Sequence, residues 1–349
     1  AIGLGPEKKL VTGGETVLYR HDKTFVNRTI LAVNIDGDAD PHRIDATLDS
    51  IRDYALERVG ERLTVEMIGL TQATEDAAWF ADLARLAYEK TGRPVILRGR
   101  NTQALTQAAQ AVKGSASVIC ASGNEQIAAL LAVVKECGHC LALSAPDLDT
   151  LADTAGRLRQ EGFTELLLAF VTHGLAERYQ TNTIARRAAI KDNFKALGHP
   201  FLHFVTGADP FQTTAAAVTE VAKYGGVCVL PSFDPAQLSA LLTLRQNIFT
   251  DPQKPIQVEP KLYTIGEPKP EAPVFVTTNF SLTFFIVSGE IENSGISAWL
   301  LVPECEGMSV LTAWAAGKFS AAIISKFMQE IDLESRITSR RIVIPGYVA

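Results

Sequence analysis

From residue 30 onward the chain repeats one pattern of apolar and polar positions. A short apolar run, rich in β-branched residues, is followed by polar or small residues and then by a longer stretch with apolar residues at three- and four-residue spacing. The longer stretches predict helices, for example over 42–59 and 75–92. The short runs predict eight strands: ILAVNID (30–36), TVEMIGL (64–70), PVILRG (94–99), SVICAS (117–122), CLALSA (140–145), ELLLAF (165–170), FLHFVT (201–206) and GVCVLP (226–231).

Eight such units predict a (β/α)8 TIM barrel within residues 1–250. Each predicted strand is apolar on both faces, as a strand that helices cover must be. The alternative is an open doubly wound sheet, which would usually have a glycine-rich phosphate turn after its first strand. The sequence NIDGDADPHR (34–43) contains no such turn. The stretch TVLYRHDKTF (16–25) predicts an N-terminal hairpin ahead of the barrel.

Beyond the barrel the pattern stops and then restarts on a smaller scale. The stretch 250–273 holds six prolines in 24 residues, which predicts a linker over 251–272. Over 273–349 the strand-like runs VFVTT, SAWLLVP and RRIVIPG alternate with helix-like stretches. This order predicts a second, small α/β domain, although three strands make a thin sheet.

Composition and charge narrow the possible functions. The 349 residues are 47% hydrophobic, which is typical of a globular protein with one large and one small domain. A net charge of -6 with interspersed signs argues against a nucleic-acid surface, and no apolar run has the length of a membrane span. Five cysteines, two of them inside strand-like runs, indicate a reducing, cytoplasmic compartment. Because the chain starts at Ala1 and ends on the strand-like run IVIPGYVA, we expect a fragment at both ends.

Two motifs that could hold a metal have plainer interpretations. CGHC (137–140) has no second ligand pair with zinc spacing, and its last cysteine opens a strand, which favours a structural role. DGDAD (36–40) lacks the spacing of a calcium loop, so we expect a solvated turn that caps the next helix. All six histidines precede residue 204. His173 and His203 lie near strand ends of the barrel, where either a catalytic or a hydrogen-bonded structural role is open.

The two turns of the second domain carry the stronger signal. In VTTNFSLT and ECEGMSVLT an apolar strand stops, a turn of small hydroxyl residues or glycine follows, and a helix begins. Turns at the carboxyl ends of parallel strands form the ligand crevice of an open α/β sheet. Such turns suit a large, neutral, polar-edged ligand held by many weak hydrogen bonds. Ordinary helix capping by Thr278, Asn279 or Ser281 is the other interpretation.

Five segments of the chain are distinctive: VTTNFSLTFF, EGMSVLTAWAAGKF, IVIPG, ETVLYRHDKTF and RQNIFTDPQKPIQVEPKLYTIG. Through these segments, and over essentially its whole length, the chain resembles the large (gamma) subunit of the corrinoid iron-sulfur protein of the acetyl-CoA decarbonylase/synthase (reductive acetyl-CoA) pathway. The resemblance implies a TIM barrel followed by a small Rossmann-like α/β cobamide-binding domain over 273–349, truncated here. It also implies a preceding [4Fe-4S] domain that this chain lacks, since none of its five cysteines has the spacing to replace the cluster ligands.

The resemblance further implies a set of corrinoid-binding residues, with no catalytic or metal-ligating side chain. These residues are Thr277, Thr283, Gly307, Met308, Ser309 and Val310. Thr283 would lie near the lower face of the cobalt without ligating it. The D-x-H-x-x-G motif of many cobalamin domains is absent, so a base-off cobamide without a histidine ligand is expected. Where the family commonly has Asp-Thr, this chain has Glu304 and Cys305, which places a thiol beside the predicted corrinoid turn.

The function implied is that of a methyl carrier. Co(I) would accept a methyl group from a methyl-tetrahydropterin, and methyl-Co(III) would deliver it to acetyl-CoA synthase. The implied partners are the small subunit of a heterodimer, a pterin methyltransferase and acetyl-CoA synthase, with no nucleic acid and no membrane. A free-standing TIM-barrel enzyme, such as a lyase or pterin methyltransferase with a small regulatory domain, is the alternative, and a structural scaffold is a third. The predicted strand ends show no coherent acid/base pair: Asp36, Thr71, Arg98, Ser122, Asp147, Thr172, Thr206 and Ser232.

Overall fold

The computed structural model describes the whole chain except residues 20, 21, 23–26, 60, 171–173, 250–255 and 349. The chain divides into two compact units, residues 1–56 with 63–249 and residues 57–62 with 250–349. The strands are β1 (Ile2–Leu4), β2 (Leu10–Thr12), β3 (Ile30–Asp36), β4 (Leu56–Arg58), β5 (Glu61–Leu63), β6 (Met67–Thr71), β7 (Val95–Arg98), β8 (Val118–Ser122), β9 (Cys140–Ala145), β10 (Leu166–Phe170), β11 (Phe201–Phe204), β12 (Gly225–Leu230), β13 (Lys261–Ile265), β14 (Val274–Val276), β15 (Ala298–Val302) and β16 (Ile342–Val343). The α-helices are α1 (Pro41–Asp53), α2 (Ala77–Thr91), α3 (Thr102–Ala111), α4 (Gly123–Cys137), α5 (Leu148–Gln160), α6 (Leu175–Ile190), α7 (Pro210–Ala222), α8 (Pro235–Ile248), α9 (Ser281–Asn293), α10 (Val310–Ala315), α11 (Ala321–Glu330) and α12 (Leu333–Arg336).

The first unit is a closed barrel of eight parallel strands, in the order β3-β6-β7-β8-β9-β10-β11-β12. Strand β12 returns to β3 with Val227 opposite Ile30, which closes the ring. All eight predicted strands are therefore confirmed, and the predicted (β/α)8 barrel with them.

Both faces of the barrel strands are buried, which explains their near-continuous apolar sequence. In β3, Ile30 and Ala32 belong to the cluster inside the barrel, whereas Leu31 and Val33 belong to the cluster between strands and helices. The start of α1 follows from local sequence. The Asp40 carboxylate accepts hydrogen bonds from the first turn of α1, which confirms that DGDAD caps this helix.

Two local predictions in the first unit differ from the structure. The predicted helix 42–59 ends at Asp53, because Tyr54 adopts an extended backbone, and the short strands β4 and β5 follow. The structure has an N-terminal hairpin formed by β1 and β2, which the sequence did not predict, and its apolar residues pack with those of the barrel interior. Residues 16–19 lie in no strand, and most of the rest of the predicted hairpin lies outside the described residues.

The second unit contains a four-stranded sheet in the order β13-β15-β14-β16. Strand β14 pairs in parallel with β15 and β16, and β13 pairs antiparallel with β15. Strand β13 lies inside 251–272, so this segment is not a linker throughout, and the sheet is not limited to three strands. The prolines near β13 are compatible with a strand at the sheet edge, where one side needs no ladder hydrogen bonds.

Helices cover both faces of this sheet. Leu300 packs with α9 residues in one apolar cluster, and its neighbour Leu301 packs with residues from α10 to α12 in another. Successive strand residues point to opposite faces, which accounts for the division into two clusters. Among the described residues, no helix combines the length and the apolarity to cross a membrane.

Candidate functional site

The two hydroxyl-rich turns lie at the same edge of the second sheet. One turn connects β14 to α9 and the other connects β15 to α10. Because β14 and β15 are parallel neighbours, their carboxyl ends meet at one edge. The Thr277 amide donates to the Leu301 carbonyl over 3.1 Å, which fixes the start of the first turn against the end of β15. The two turns therefore lie side by side at one edge of the sheet.

The side-chain amide of Asn279 joins the two turns. Its Oδ1 accepts hydrogen bonds from the backbone amides of Cys305 and Gly307, each over 3.0 Å. Its Nδ2 donates to Gln257 Oε1 over 3.1 Å and to Glu304 Oε1 over 3.0 Å. Asn279 is fully buried, and water does not compete for its bonds to the Cys305 and Gly307 amides. This one residue holds the β15 turn in a fixed position relative to the β14 turn.

The hydroxyl groups of Thr277 and Thr278 are buried and have no hydrogen-bond partner among the described residues. Buried hydroxyls are normally paired, because an unmade hydrogen bond leaves the cost of desolvation without compensation. Two such groups in succession, at the carboxyl end of a strand, indicate a site whose polar partner is supplied from elsewhere.

Of the six predicted corrinoid-binding residues, the structure brings two into the joined turns and places the other four in or next to the helices that follow. Thr277 and Gly307 belong to the two turns that Asn279 joins. Thr283 is half-buried in the first turn of α9. Met308 and Val310 are also half-buried and pack partly against the α10 face of the core, and the Ser309 hydroxyl lies 2.9 Å from that of Thr312.

Gly307 is required by the conformation of its turn. Its φ is +66°, and a Cβ placed on it would lie 2.5 Å from Cγ of Gln257. We expect Gly307→Ala to lower the free energy of unfolding of the second unit by about 2–3 kcal/mol, because it combines left-handed strain with a collision against the Gln257 side chain, whose shift would disturb its hydrogen bond to Asn279. Urea unfolding followed by tryptophan fluorescence measures this.

Gly317 provides the matched control. It has a φ of +68°, and a Cβ placed on it would have no other atom within 4 Å. Gly317→Ala therefore introduces the backbone strain alone, and a loss of about 1 kcal/mol is expected. Equal losses for the two variants would show that the contact with Gln257 has no role in holding the turn.

Glu304 and Cys305 have structural contacts. Cys305 is fully buried in the apolar cluster beside α10, and its Sγ lies 3.5 Å from the Lys318 carbonyl. Burial raises the pKa of this thiol to about 11. The thiol therefore points into the protein and stays protonated near neutral pH. Glu304 accepts from the Asn279 amide and from the backbone amide of Glu306.

The capping interpretation of the β14 turn is wrong. The N-cap of α9 is Phe280, which has no capping side chain. Asn279 bonds across to the other turn instead, and the Ser281 hydroxyl donates to the Ile256 carbonyl over 2.6 Å. The sequence favours a capping role for Asn279, because a short polar residue before a helix usually caps that helix. The role of Asn279 in joining the two turns is visible only in the structure.

One face of α9 is apolar and exposed. Leu282, Phe285 and Ile286 have exposed fractions of 60%, 48% and 57%. Their spacing of three and four residues places them on one side of the helix, away from buried Phe284 and Ile291. A helix that is apolar on both sides is normally covered on both sides.

Metal-binding side chains are not clustered in the part of the chain that the structure describes, where no group of three or more His, Cys, Asp or Glu could hold an ion. Both ring nitrogens of His139 in CGHC make hydrogen bonds to backbone groups, with Ser117 and Ala109. His203 lies on β11, with Nδ1 3.2 Å from Glu220 Oε1. His173 lies outside the described residues.

Comparison with known proteins identifies a family that matches the whole chain. The family described as "CO dehydrogenase/acetyl-CoA synthase delta subunit" matches residues 1–349. The "Corrinoid/iron-sulfur protein large subunit" of Moorella thermoacetica is 34% identical over 348 residues, covering 100% of this chain and 78% of that protein. The "Acetyl-CoA decarbonylase/synthase complex subunit gamma" of Methanocaldococcus jannaschii is 31% identical over 369 residues, covering 98% and 75%. Among solved structures, the 7,8-dihydropteroate synthase of Vibrio fischeri ES114 has a TM-score of 0.47 and 13% identity, covering 72% of this chain and 100% of that one.

The fold and the site define an α/β protein with a parallel barrel and a smaller unit that carries a crevice of turns. More particularly, the chain belongs to the CO dehydrogenase/acetyl-CoA synthase delta subunit family, whose relatives include corrinoid/iron-sulfur protein large subunits and acetyl-CoA decarbonylase/synthase gamma subunits.

Proposed function

We propose that this chain is the corrinoid-carrying subunit of a methyl-transfer complex, and that the corrinoid lies at the carboxyl edge of β14 and β15. The observation that carries the proposal is the pair of buried, unpartnered hydroxyls of Thr277 and Thr278 beside the turns joined by Asn279. The names of the Moorella and Methanocaldococcus relatives support the class of cofactor. When bound, the corrinoid would supply the methyl carrier between a methyl-tetrahydropterin and acetyl-CoA synthase.

We also propose that the second unit is a Rossmann-like domain. Its strand order reverses at β14, with β15 on one side and β16 on the other, and helices cover both faces. A reversal of this kind creates a crevice outside the carboxyl ends of the strands. The ligand position proposed above is therefore the one that this topology favours.

The residues at the edge fit a large neutral ligand with amide groups. Hydroxyls of Thr277 and Thr283 and the backbone of 307–310 would bind ring amides and the nucleotide tail. The charges of the second turn are already engaged, since Glu304 accepts from Asn279 and Glu306 pairs with Lys318 over 2.8 Å. What remains for a ligand is uncharged hydrogen-bonding surface.

The cobalt would have no imidazole ligand from this unit. All six histidines lie in residues 1–203, and none lies in 57–62 or 250–349. Thr283 would lie beside the cofactor, and its hydroxyl would not replace a nitrogen donor. The identity of the axial ligand is a main determinant of the reduction potential of a bound metal. We therefore include in the proposal that the cobamide is bound base-off, without an axial ligand from the protein.

The cysteines of this chain do not fit a [4Fe-4S] cluster. Such a cluster needs four neighbouring thiolates, whereas all five thiols are buried and are divided among three apolar clusters, with no more than two in any one of them. Burial raises the pKa of Cys120 and of Cys140 to about 12, which keeps these thiols protonated. We place no iron-sulfur chemistry on these residues.

For partners, we propose a smaller subunit, a pterin methyltransferase and acetyl-CoA synthase. The word "large" in the name of the Moorella relative supports the first of these. The exposed apolar face of α9, formed by Leu282, Phe285 and Ile286, is the surface that we assign to the smaller subunit.

The cofactor proposal predicts a specific spectrum. Protein purified without oxygen from a corrinoid-supplied host should show corrinoid absorption bands of the base-off type and stoichiometric cobalt by elemental analysis. A colourless protein from such a host would contradict the proposal. Bands of a base-on or imidazole-ligated corrinoid would contradict its histidine-free part alone.

Valine variants connect the spectrum to the site. Because the Thr277 and Thr278 hydroxyls have no hydrogen-bond partner in the part of the chain that the structure describes, replacing both by valine should leave the stability of the corrinoid-free protein unchanged or raised. The same double variant should retain much less cobalt. Thr219→Val, at a half-buried position on α7 of the barrel, is the control and should retain cobalt as the native chain does.

A further inference from the structure

The barrel contains a second candidate site, a cavity of about 370 Å³ at the carboxyl ends of its strands. Strand periodicity explains its lining. Ile96 and Cys120 point into the barrel interior, so Arg98 and Ser122, two positions later on the same strands, face the same side at the mouth. This is the end of a parallel barrel at which ligands are usually bound.

Arg98 faces no carboxylate among the described residues that line this cavity. Its guanidinium lies 3.8 Å from the ring centroid of Phe204, and it makes no hydrogen bond or ion pair with any described residue. Burial lowers the pKa of Arg98, and the charge of Asp36 at the end of β3 offsets this only in part. A partly buried cation without a partner carries a desolvation cost that a bound anion would compensate.

Arg178 places a second guanidinium at the same cavity. Its side chain is almost fully buried, and its Nη2 donates to the Phe170 carbonyl over 2.9 Å. Its Nε lies 3.5 Å from Glu220 Oε1, while its Nη1 is buried with no hydrogen-bond partner among the described residues. Glu220 also faces His203 and can balance only one positive charge. Arg98 and Arg178 together carry two positive charges, and Glu220, the nearby buried carboxylate, carries one negative charge. One positive charge therefore remains unbalanced by a buried carboxylate.

The remaining lining is neutral and mixed. The hydroxyls of Ser122, Ser144 and Thr206 offer further hydrogen bonds, and Leu202 and Phe204 provide apolar wall. Among the described residues that line the cavity, none is an aspartate or a glutamate. Two guanidinium groups beside apolar wall match a ligand with an anionic head and an apolar body.

We propose that the barrel mouth binds a small organic anion, whose carboxylate or phosphate is held by Arg98 and Arg178 and whose body packs on Leu202 and Phe204. The proposal is independent of the corrinoid proposal, which concerns the second unit.

Calorimetric titration of the full 349-residue chain with benzoate tests the proposal, with inorganic phosphate as the probe that lacks an apolar body. Benzoate should bind saturably and more tightly than phosphate. Arg98→Gln should weaken benzoate binding at least tenfold, because it removes a charge-assisted contact. Arg98 is the informative position, since its removal leaves no buried carboxylate without a partner.

Arg85→Gln is the matched control. Arg85 lies on the exposed side of α2, where it pairs with Asp82, and its replacement should not change benzoate affinity. Far-UV circular dichroism checks that both variants are folded. The proposal is overturned if benzoate shows no saturable binding up to about 10 mM, if phosphate binds as tightly as benzoate, or if folded Arg98→Gln binds like the native chain.

Discussion

Asn279→Ala should destabilise the second unit by about 3 kcal/mol, because it leaves two buried backbone amides unpaired at once. The amides of Cys305 and Gly307 lose their acceptor and gain no new partner from alanine. Gln257 and Glu304 also lose a donor, but both are exposed and water can replace it, so the cost lies in the two buried amides and in the fully buried side chain that is removed. The effect should therefore exceed that of any single ordinary hydrogen bond.

Urea unfolding followed by tryptophan fluorescence measures this loss. In a Trp79→Phe background the signal comes from Trp299 and Trp314, both in the second unit. The control is Asn293→Ala, at an exposed position near the end of α9, which should change stability by less than about 0.5 kcal/mol. Similar losses for both asparagines would mean that the turns are held by other contacts.

A second substitution separates the two halves of the Asn279 amide. Asn279→Asp retains an acceptor for the Cys305 and Gly307 amides but places a carboxylate oxygen opposite Glu304 Oε1. Like charges at this distance repel, so aspartate should not restore stability. Native-like stability of this variant would contradict the role given to the donor half of the amide.

The same network would affect cofactor retention. The two turns carry Thr277 and Gly307, which the proposed function places at the corrinoid, and Asn279 positions the second turn relative to the first. Under mild conditions, where Asn279→Ala remains folded, its cobalt content should fall below that of the native chain. Retention by the folded variant would separate the network from the corrinoid site.

The barrel could be predicted from the sequence because its signals are local. Each strand is a short apolar run, each helix has its own periodic apolar face, and eight repeats specify a closed ring. The β13 strand and the β1-β2 hairpin gave weaker signals. Strand β13 follows directly on Pro260 within a proline-rich segment, and β1 and β2 are three residues each.

The site was predictable only in part, for a related reason. The two turns could be located, because a strand that ends in hydroxyls and glycine is visible in a short window. The role of Asn279 could not, since its hydrogen bonds reach 26 and 28 residues along the chain. Arg98 was visible at a strand end, yet its lack of a counterion depends on the residues that surround it in three dimensions.

Arg245→Met should destabilise the barrel by about 3 kcal/mol, because it breaks a buried ion pair where the ring of strands closes. Arg245 is almost fully buried on α8. Its Nη2 lies 2.6 Å from Glu66 Oε1, and its Nη1 donates to Glu66 Oε2 and to the Thr29 carbonyl. Glu66 in turn accepts from the Leu31 amide, so the pair connects the last helix of the barrel to the first strand.

Chemical denaturation monitored by Trp79 fluorescence, in a background without the other tryptophans, measures the loss in the first unit. Arg85→Met is the control, since the Arg85–Asp82 pair is exposed on both sides and should contribute less than about 1 kcal/mol. Replacing Glu66 together with Arg245 by methionine should recover much of the stability, because no buried charge is then left alone. If Arg245→Met costs no more than Arg85→Met, the ion pair is not what secures the closure between α8 and β3, and the apolar contacts of the helix are sufficient by themselves.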